Sequence, residues 1–450
     1  MDPAAPHILL KARGPLVGSV AVPGDKSISH RVMLLGLLAA GPCRASGWLV
    51  SEDTLASLGA VEILGAKVER AGDRLTITPP SVPPVGNLAI DCGNSGTTCR
   101  LLCGLLAGWL PAGTTVTLTG DTSLSSRPMG RVVDPLRAMG ARIEFLETEG
   151  CLPLRLTGGP LRGCHHELPV PSAQVKSALL LAGLNAAGVT TISGIGGSRD
   201  HTELMLQTMG VSTSPGASGA ELCITGGALP GAFVVQVPGD PSTAAFFQVA
   251  AALLPGSDLL TTGISLNHTR TGALRVLRQA GVQVSIERPH GPPDGETLGD
   301  VRIRPGVLRP FSITGPDVPG LVDEIPVLAV LATGIGGQSV IAGAEELRVK
   351  ESDRLSVMAD NLLRLGADLE ERPDGLRITG CTSLSGGPVG APLLLKTAGD
   401  HRVAIAMAVA AAVGQGHSTL DDFDCPAVSF PKFFAAFATL LDDGVSDRPF

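Results

Sequence analysis

Seven short strings in this chain carry a cation, six of them among hydroxyl, amide or glycine residues. In chain order they are Gly24-Asp25-Lys26-Ser27-Ile28-Ser29-His30-Arg31, Gly93-Asn94-Ser95-Gly96-Thr97-Thr98-Cys99-Arg100, Ser125-Ser126-Arg127-Pro128-Met129-Gly130-Arg131, Pro171-Ser172-Ala173-Gln174-Val175-Lys176, Ser198-Arg199-Asp200-His201, Arg348-Val349-Lys350-Glu351-Ser352-Asp353-Arg354 and Asp400-His401-Arg402. Several of them open an apolar, helix-like run. A helix N-terminus offers unpaired N–H groups and a partial positive charge, so such a loop suits an anion. Lys26 and Arg31 add full charges, and the fork of Arg127 fits a carboxylate or phosphate. The glycines of the second string let an anion approach the backbone. The first string is not a P-loop, which needs Gly directly before Lys. Each string alone also fits a capped surface helix or a solvated loop, and His401 fits a packing or capping histidine. Their recurrence carries the inference. The chain has a formal net charge of -8, yet it concentrates cations at these loops, as a cleft for small polyanions requires. Asp323 and Glu351 are candidates for proton transfer at such a site.

The elements that must hold these loops repeat. Helix-like runs end in glycine at Gly65, Gly140, Gly210, Gly281, Gly366 and, in degenerate form, Gly444, about 70 to 85 residues apart. Glycine suits a helix stop because it accepts the left-handed conformation. β-Branched runs such as Ala112–Thr119, Ala187–Ser193, Pro255–Thr262 and Gly337–Ala342 read as strands. Asp200 to Glu203 has capping-box spacing, and Ser352-Asp353 offers N-cap side chains. Six small α/β units follow. Val22-Pro23-Gly24-Asp25-Lys26-Ser27 recurs as Val237-Pro238-Gly239-Asp240-Pro241-Ser242, which implies two lobes of three units. The expected lobes are 1–22 plus 239–450, and 23–238, with a hinge at the Pro-Gly corners and a ligand cleft between lobes.

Composition narrows the function classes. Apolar residues make up 44% and aromatics 3%, with no Tyr, so the cores must be aliphatic and base stacking is disfavoured. The negative charge disfavours nucleic acid and anionic membranes as partners. Nine scattered cysteines without a CxxC pair fit reduced thiols in the cytoplasm. Cys99 and Cys103 have the spacing of packing residues on one helix face. The start, Met1 to Gly14, has no long apolar stretch, and the apolar run Val403–Val413 is too short to span a bilayer.

The strings, taken in order, resemble the 5-enolpyruvylshikimate-3-phosphate synthase family over essentially the whole chain. The matching segments are GDKSISHR at 24–31, GNSGTTCR at 93–100, SRPMGR at 126–131, SAQVKSALLLAGL at 172–184, RDHTE at 199–203, LRVKESDRL at 347–355 and GDHRVA at 399–404. SRPMGR, SAQVKS and RDHTE resemble the bacterial subgroup that includes glyphosate-tolerant members. The resemblance implies a two-lobed inside-out α/β barrel of six βαβαββ units, helices inside and sheets outside. It implies transfer of the enolpyruvyl group of phosphoenolpyruvate to the 5-hydroxyl of shikimate 3-phosphate, in a cytoplasmic monomer of the shikimate pathway that glyphosate inhibits.

Roles follow by resemblance. Lys26 resembles the lysine that contacts both substrates, and Ser27 and Arg31 those that hold the shikimate carboxylate. Ser172, the Ala173 backbone and Arg199 resemble the cradle of the 3-phosphate, and Gln174 the glutamine against the shikimate ring. Asn94, Gly96 and Arg127 resemble residues beside phosphoenolpyruvate. Arg354 and Arg402 resemble the arginines on its carboxylate, and Lys350 a lysine between the ligands. Asp323 resembles the base on the 5-hydroxyl and Glu351 the proton donor to the methylene carbon. Protonating that carbon makes C2 cation-like, the hydroxyl adds, and the tetrahedral adduct loses phosphate and a methyl proton. This chemistry calls for no metal or cofactor. Two departures stand out. Val428 replaces a lysine that many members carry before Ser429-Phe430-Pro431, and Glu346 replaces an asparagine of some members. Leu101 stands where many glyphosate-sensitive members have Pro, while Gly96 predicts sensitivity. The related enzyme acting on UDP-N-acetylglucosamine carries a loop cysteine, and Gly113 to Arg127 has none. A catalytically dead anion-binding protein on the same fold is the other alternative, disfavoured by the joint presence of Asp323 and Glu351.

Overall fold

The structure, a computed structural model, describes residues 9–12, 14–216, 219–292, 295–381 and 383–443. Gly444 lies outside the described residues.

The glycine stops behave as their spacing predicts. Gly65, Gly140, Gly210, Gly281 and Gly366 all have positive φ, between 79° and 100°, a region that costs a Cβ-bearing residue about 1 kcal/mol or more. Each follows a helix and precedes a strand. The β-branched runs form the strands Thr115–Thr119, Val189–Ser193, Asp258–Ser265 and Gln338–Ile341.

These elements repeat as one motif. Strand Asn87–Asp91 pairs parallel with Thr115–Thr119, which pairs antiparallel with Leu154–Thr157, which in turn pairs antiparallel with Arg142–Phe145. Helices Gly96–Trp109 and Gly130–Ala138 fill the connections, so the unit reads βαβαββ. Five four-stranded sheets share this order among the described residues, and a two-stranded sheet, Leu393–Leu395 with Ser418–Leu420, stands in the sixth place.

Each motif carries one helix buried on nearly every side. These are Lys26–Leu38, Gly96–Trp109, Ala173–Leu184, Pro241–Leu253, Ile325–Thr333 and His401–Val413. An aliphatic helix without a polar face must sit inside a core. Gly96–Trp109 and Ala173–Leu184 approach so closely that a Cβ on Gly104 would lie 2.0 Å from the Ala178 carbonyl oxygen.

The chain divides into two compact units: Met1–Pro23 with Gly239–His290 and Thr297–Phe450, and Gly24–Pro238 with Gly291–Glu296. Each has its own apolar core. In the first, the three buried helices pack pairwise on one another. In the second, Gly96–Trp109 packs on both of its counterparts. The expected limits put Gly291–Glu296 with 239–450. Instead its Glu296 carboxylate is buried against His201, with 2.5 Å between Oε1 and Nδ1. Among the described residues no helix is long and apolar enough to cross a membrane.

Candidate active site

In the unit 24–238 three capped helix starts carry expected site residues. Asp25 caps Lys26–Leu38 by accepting from the Ile28 N–H, and Ser95 caps Gly96–Trp109 by accepting from Thr98. Ser172 does the same for Ala173–Leu184 through Val175. The caps place Lys26, Gly96, Ala173 and Gln174 in first turns, where N–H groups point outward. Lys26 Nζ pairs with Asp53 Oδ2 at 3.0 Å.

Arg31 is 3% exposed. Its Nε donates to Thr202 Oγ1 at 2.7 Å, Nη1 to the Ser27 carbonyl at 2.8 Å and Nη2 to Ser177 Oγ at 2.7 Å. These hold the guanidinium plane fixed, a requirement for bidentate recognition. Burial pulls its pKa down to about 10 against the pull of Glu203 and Asp25. Arg199 Nη1 lies 3.4 Å from Ser27 Oγ, which brings Ser27, Arg31 and Arg199 into one cluster.

A second cluster surrounds Gly96. Asn94 donates to Asp121 and accepts from Arg127 Nη2, each at 2.7 Å. Arg100 Nη1 donates to Gln174 Oε1 at 2.7 Å, and Gln174 Nε2 donates to Thr97 Oγ1 at 2.9 Å. A Cβ on Gly96 would meet Arg100 Nη1 at 2.7 Å and Arg127 Nη1 at 3.5 Å. The two guanidinium groups therefore flank that glycine.

Behind these clusters runs a buried polar chain. His30 Nδ1 contacts Ser57 Oγ at 2.8 Å, Ser57 contacts Thr98 at 2.7 Å, and Thr98 contacts Ser95 at 2.7 Å. His30 Nε2 is buried with no hydrogen-bond partner, so a charged imidazole would strand an N–H. Burial, then repulsion from Lys26 and Arg31, pushes its pKa well below 6.5, and Asp25 only partly opposes them. The unfolded chain binds this proton more readily, so the stabilisation is complete above pH 6.5 and is lost as pH falls below it. Acidification from about pH 7 to about pH 5 is expected to lower the urea midpoint of the wild type more than that of His30→Gln. Equal shifts would remove His30 from the acid sensitivity.

The unit 239–450 holds the other half of the expected residues. Asp353 caps the helix Arg354–Arg364 and Asp400 caps His401–Val413. These caps set Arg354 and Arg402 in first turns, both almost fully buried. Arg354 is a hub. Its Nε donates to Asp400 Oδ2 at 2.8 Å, Nη1 to Asp323 Oδ1 at 3.3 Å and Nη2 to Glu351 Oε2 at 2.7 Å. Burial works against the charge, but Asp400, Glu351 and Asp323 outweigh it and raise the guanidinium pKa. Arg402 differs, since its Nε and Nη1 are buried with no hydrogen-bond partner. Lys350 Nζ pairs with Glu346 Oε1 at 3.1 Å. Val428 ends a short 3-10 helix, Cys425–Val428, and Lys432 is exposed.

Lys26, Ser27, Arg31, Asn94, Gly96, Arg127, Ser172, Ala173, Gln174 and Arg199 thus lie on one unit, and Asp323, Lys350, Glu351, Arg354 and Arg402 on the other. One expectation needs correction: Asp200 makes no side-chain cap. Glu203 instead pairs with the buried Lys176 Nζ at 2.5 Å, a partner too distant in sequence for capping-box spacing to reveal. The geometry also adds Asp53, Arg100, Glu296 and Asp400. Arg100 and Asp400 sit inside the matched strings, whereas Asp53 and Glu296 carried no signal.

The family model for EPSP synthase (3-phosphoshikimate 1-carboxyvinyltransferase) matches residues 10–437. A 3-phosphoshikimate 1-carboxyvinyltransferase of Anaeromyxobacter sp. (strain K) is 47% identical over 433 residues, 96% of each chain. One from Synechococcus sp. (strain JA-3-3Ab) is 45% identical over 437 residues, again 96% of each. A solved EPSP synthase from Acinetobacter baumannii superposes with a TM-score of 0.82 at 36% identity, covering 96% of this chain and 97% of that one. Matched by the family model over most of its length and 45 to 47% identical to such relatives across 96% of the chain, the protein belongs to the EPSP synthase family, the 3-phosphoshikimate 1-carboxyvinyltransferases.

Proposed function

We propose that the two clusters divide the work of this family's reaction, in which the enolpyruvyl group of phosphoenolpyruvate moves to the 5-hydroxyl of shikimate 3-phosphate and phosphate leaves. The observation that carries the reading is Arg402, a buried guanidinium whose Nε and Nη1 have no acceptor. A buried cation with idle donors is costly unless an anion completes it, and an incoming carboxylate brings the acceptors they lack. Arg402 and Arg354 would grip the carboxylate of phosphoenolpyruvate. Ser27 and the pre-set fork of Arg31 would hold the shikimate carboxylate, while Ser172, the Ala173 N–H and Arg199 cradle the 3-phosphate. Gln174 lies against the ring, and Lys26 and Lys350 serve both ligands. Asn94 and Arg127 would neutralise the phosphate of phosphoenolpyruvate. Asp323 takes the 5-hydroxyl proton and Glu351 supplies one to the methylene carbon. Most of the acceleration then comes from charge neutralisation and orientation.

The purified protein is expected to release phosphate only when both substrates are present. Turnover with UDP-N-acetylglucosamine in place of shikimate 3-phosphate would overturn the reading.

Glyphosate, an anion longer than phosphoenolpyruvate, is proposed to occupy the same subsite, with Gly96 leaving room for it. A methyl on Gly96 lands 2.7 Å from Arg100 Nη1, so Arg100 must swing away and its bond to Gln174 weakens. Such crowding costs about 1–3 kcal/mol. Gly96→Ala is therefore expected to raise the ratio of glyphosate inhibition constant to phosphoenolpyruvate KM by roughly tenfold. An unchanged ratio would show that Gly96 does not face the discriminating part of the inhibitor.

A further inference from the structure

Arg354 already has a carboxylate on each of its three nitrogens, yet the reading above asks it to take a fourth, that of phosphoenolpyruvate. Its five N–H donors outnumber these three bonds, but the side chain is only 1% exposed, so a fourth carboxylate reaches it only where a covering one moves aside. Asp400 is the fixed partner. It is 0% exposed and also accepts from the Arg402 N–H at 2.9 Å and the Ser352 hydroxyl at 3.1 Å. The exchangeable edge is the other one, where the Asp323 and Glu351 side chains are each 20% exposed. Glu351 poses a second difficulty. A carboxylate 2.7 Å from a guanidinium nitrogen is held ionised, whereas a proton donor must be protonated.

Both difficulties have one solution. We propose that the incoming carboxylate of phosphoenolpyruvate displaces Glu351 from Arg354 Nη2, and that the displaced Glu351 takes up a proton from solvent, so that substrate binding loads the acid. The proposal rests on the site reading above. After the exchange Glu351 has lost the Arg354 cation and gained the substrate carboxylate as a neighbour, with Asp323 and Asp400 also on Arg354, and each change favours the protonated form. Of the other cations nearby, Arg348 is held by Asp353 and Glu371 at 2.8 and 2.9 Å, and Lys350, paired with Glu346 at 3.1 Å without ligand, is the one that the reading above gives to the substrates. Arg402 faces the same incoming carboxylate. Asp323 stays on Nη1 as the ionised base. The proton that Glu351 gains passes to the methylene carbon on addition; on elimination a methyl proton returns to Glu351 and then to solvent, and the 5-hydroxyl proton taken by Asp323 leaves with the phosphate, so the full cycle takes up no net proton.

The test is calorimetric titration of the full chain with phosphoenolpyruvate in buffers of low and high ionisation enthalpy, for wild type, Glu351→Gln and Arg354→Lys. KM for phosphoenolpyruvate reads the same affinity contrast where direct binding is weak. Wild type is expected to take up more protons on binding than Glu351→Gln. Glu351→Gln, with no ion pair to break, is expected to bind phosphoenolpyruvate roughly fivefold tighter or more while turning over slowly. Equal proton exchange and equal or weaker affinity in Glu351→Gln, with binding still weakened by Arg354→Lys, would overturn the exchange and leave the site reading intact. Arg354→Lys binding as tightly as wild type would overturn the site reading, and the exchange with it.

Discussion

Glu351→Gln and Asp323→Asn are each expected to lower kcat by about 100-fold or more. Each amide keeps the size of its carboxyl and an oxygen for Arg354, which lies 2.7 Å from Glu351 and 3.3 Å from Asp323. What each loses is the ability to exchange a proton. The enol phosphate carbon C2 of phosphoenolpyruvate adds an alcohol only when its methylene is protonated, and the alcohol adds only as its proton leaves. The two variants should therefore fail at one step from opposite sides. Affinity separates them from a binding defect: neither should raise KM by more than a few fold. Steady-state phosphate release at saturating substrates measures the effect, and near-normal turnover in either variant removes that residue from proton transfer. The pH profile adds a second reading, because the limb that belongs to the substituted group should vanish from kcat.

The fold was largely legible because its signals are local. Gly65, Gly140, Gly210, Gly281 and Gly366 each end a helix with positive φ, a backbone demand written in one residue. The repeated Pro-Gly corners fall within a residue of where the two compact units meet in the chain. Gly291–Glu296 was not legible, since its place is set by Glu296 against His201, a contact far apart in sequence. The candidate site divides the same way. Helix caps and cations sit inside short strings and could be found by type and spacing. Their partners could not: Asp53 on Lys26, Gln174 on Arg100 and Glu203 on Lys176 depend on which helix starts the core brings side by side. Asp200–Glu203 shows how a local rule misleads. The spacing is right for a capping box, but a buried lysine competes for the glutamate and wins, because an unpaired ammonium in the core costs more than a lost cap.

That competition makes Lys176→Met the largest expected effect on stability. Lys176 is 2% exposed and Glu203 13%, with 2.5 Å between Nζ and Oε1. Glu203 Oε2 is buried without a hydrogen-bond partner, so the carboxylate leans on its contact with Lys176 for neutralisation, with Arg31 acting on it through charge alone. Removing the cation alone leaves a poorly solvated charge, at a cost of about 3 kcal/mol. Removing the charge as well, in Lys176→Met with Glu203→Gln, should restore most of it, since a neutral pair of similar volume is often as stable as a buried ion pair. Both tryptophans of the chain, Trp48 and Trp109, lie in the unit 24–238, so fluorescence-monitored urea unfolding reports on the unit that carries the change. Function should not recover in parallel. Lys176 Nζ also lies 3.4 Å from the Ser198 carbonyl and steadies the loop that presents Arg199. The double variant is expected to regain its unfolding midpoint yet keep a raised KM for shikimate 3-phosphate, with kcat little changed. A double variant as unstable as Lys176→Met would show that the lysine stem, rather than its charge, holds this region.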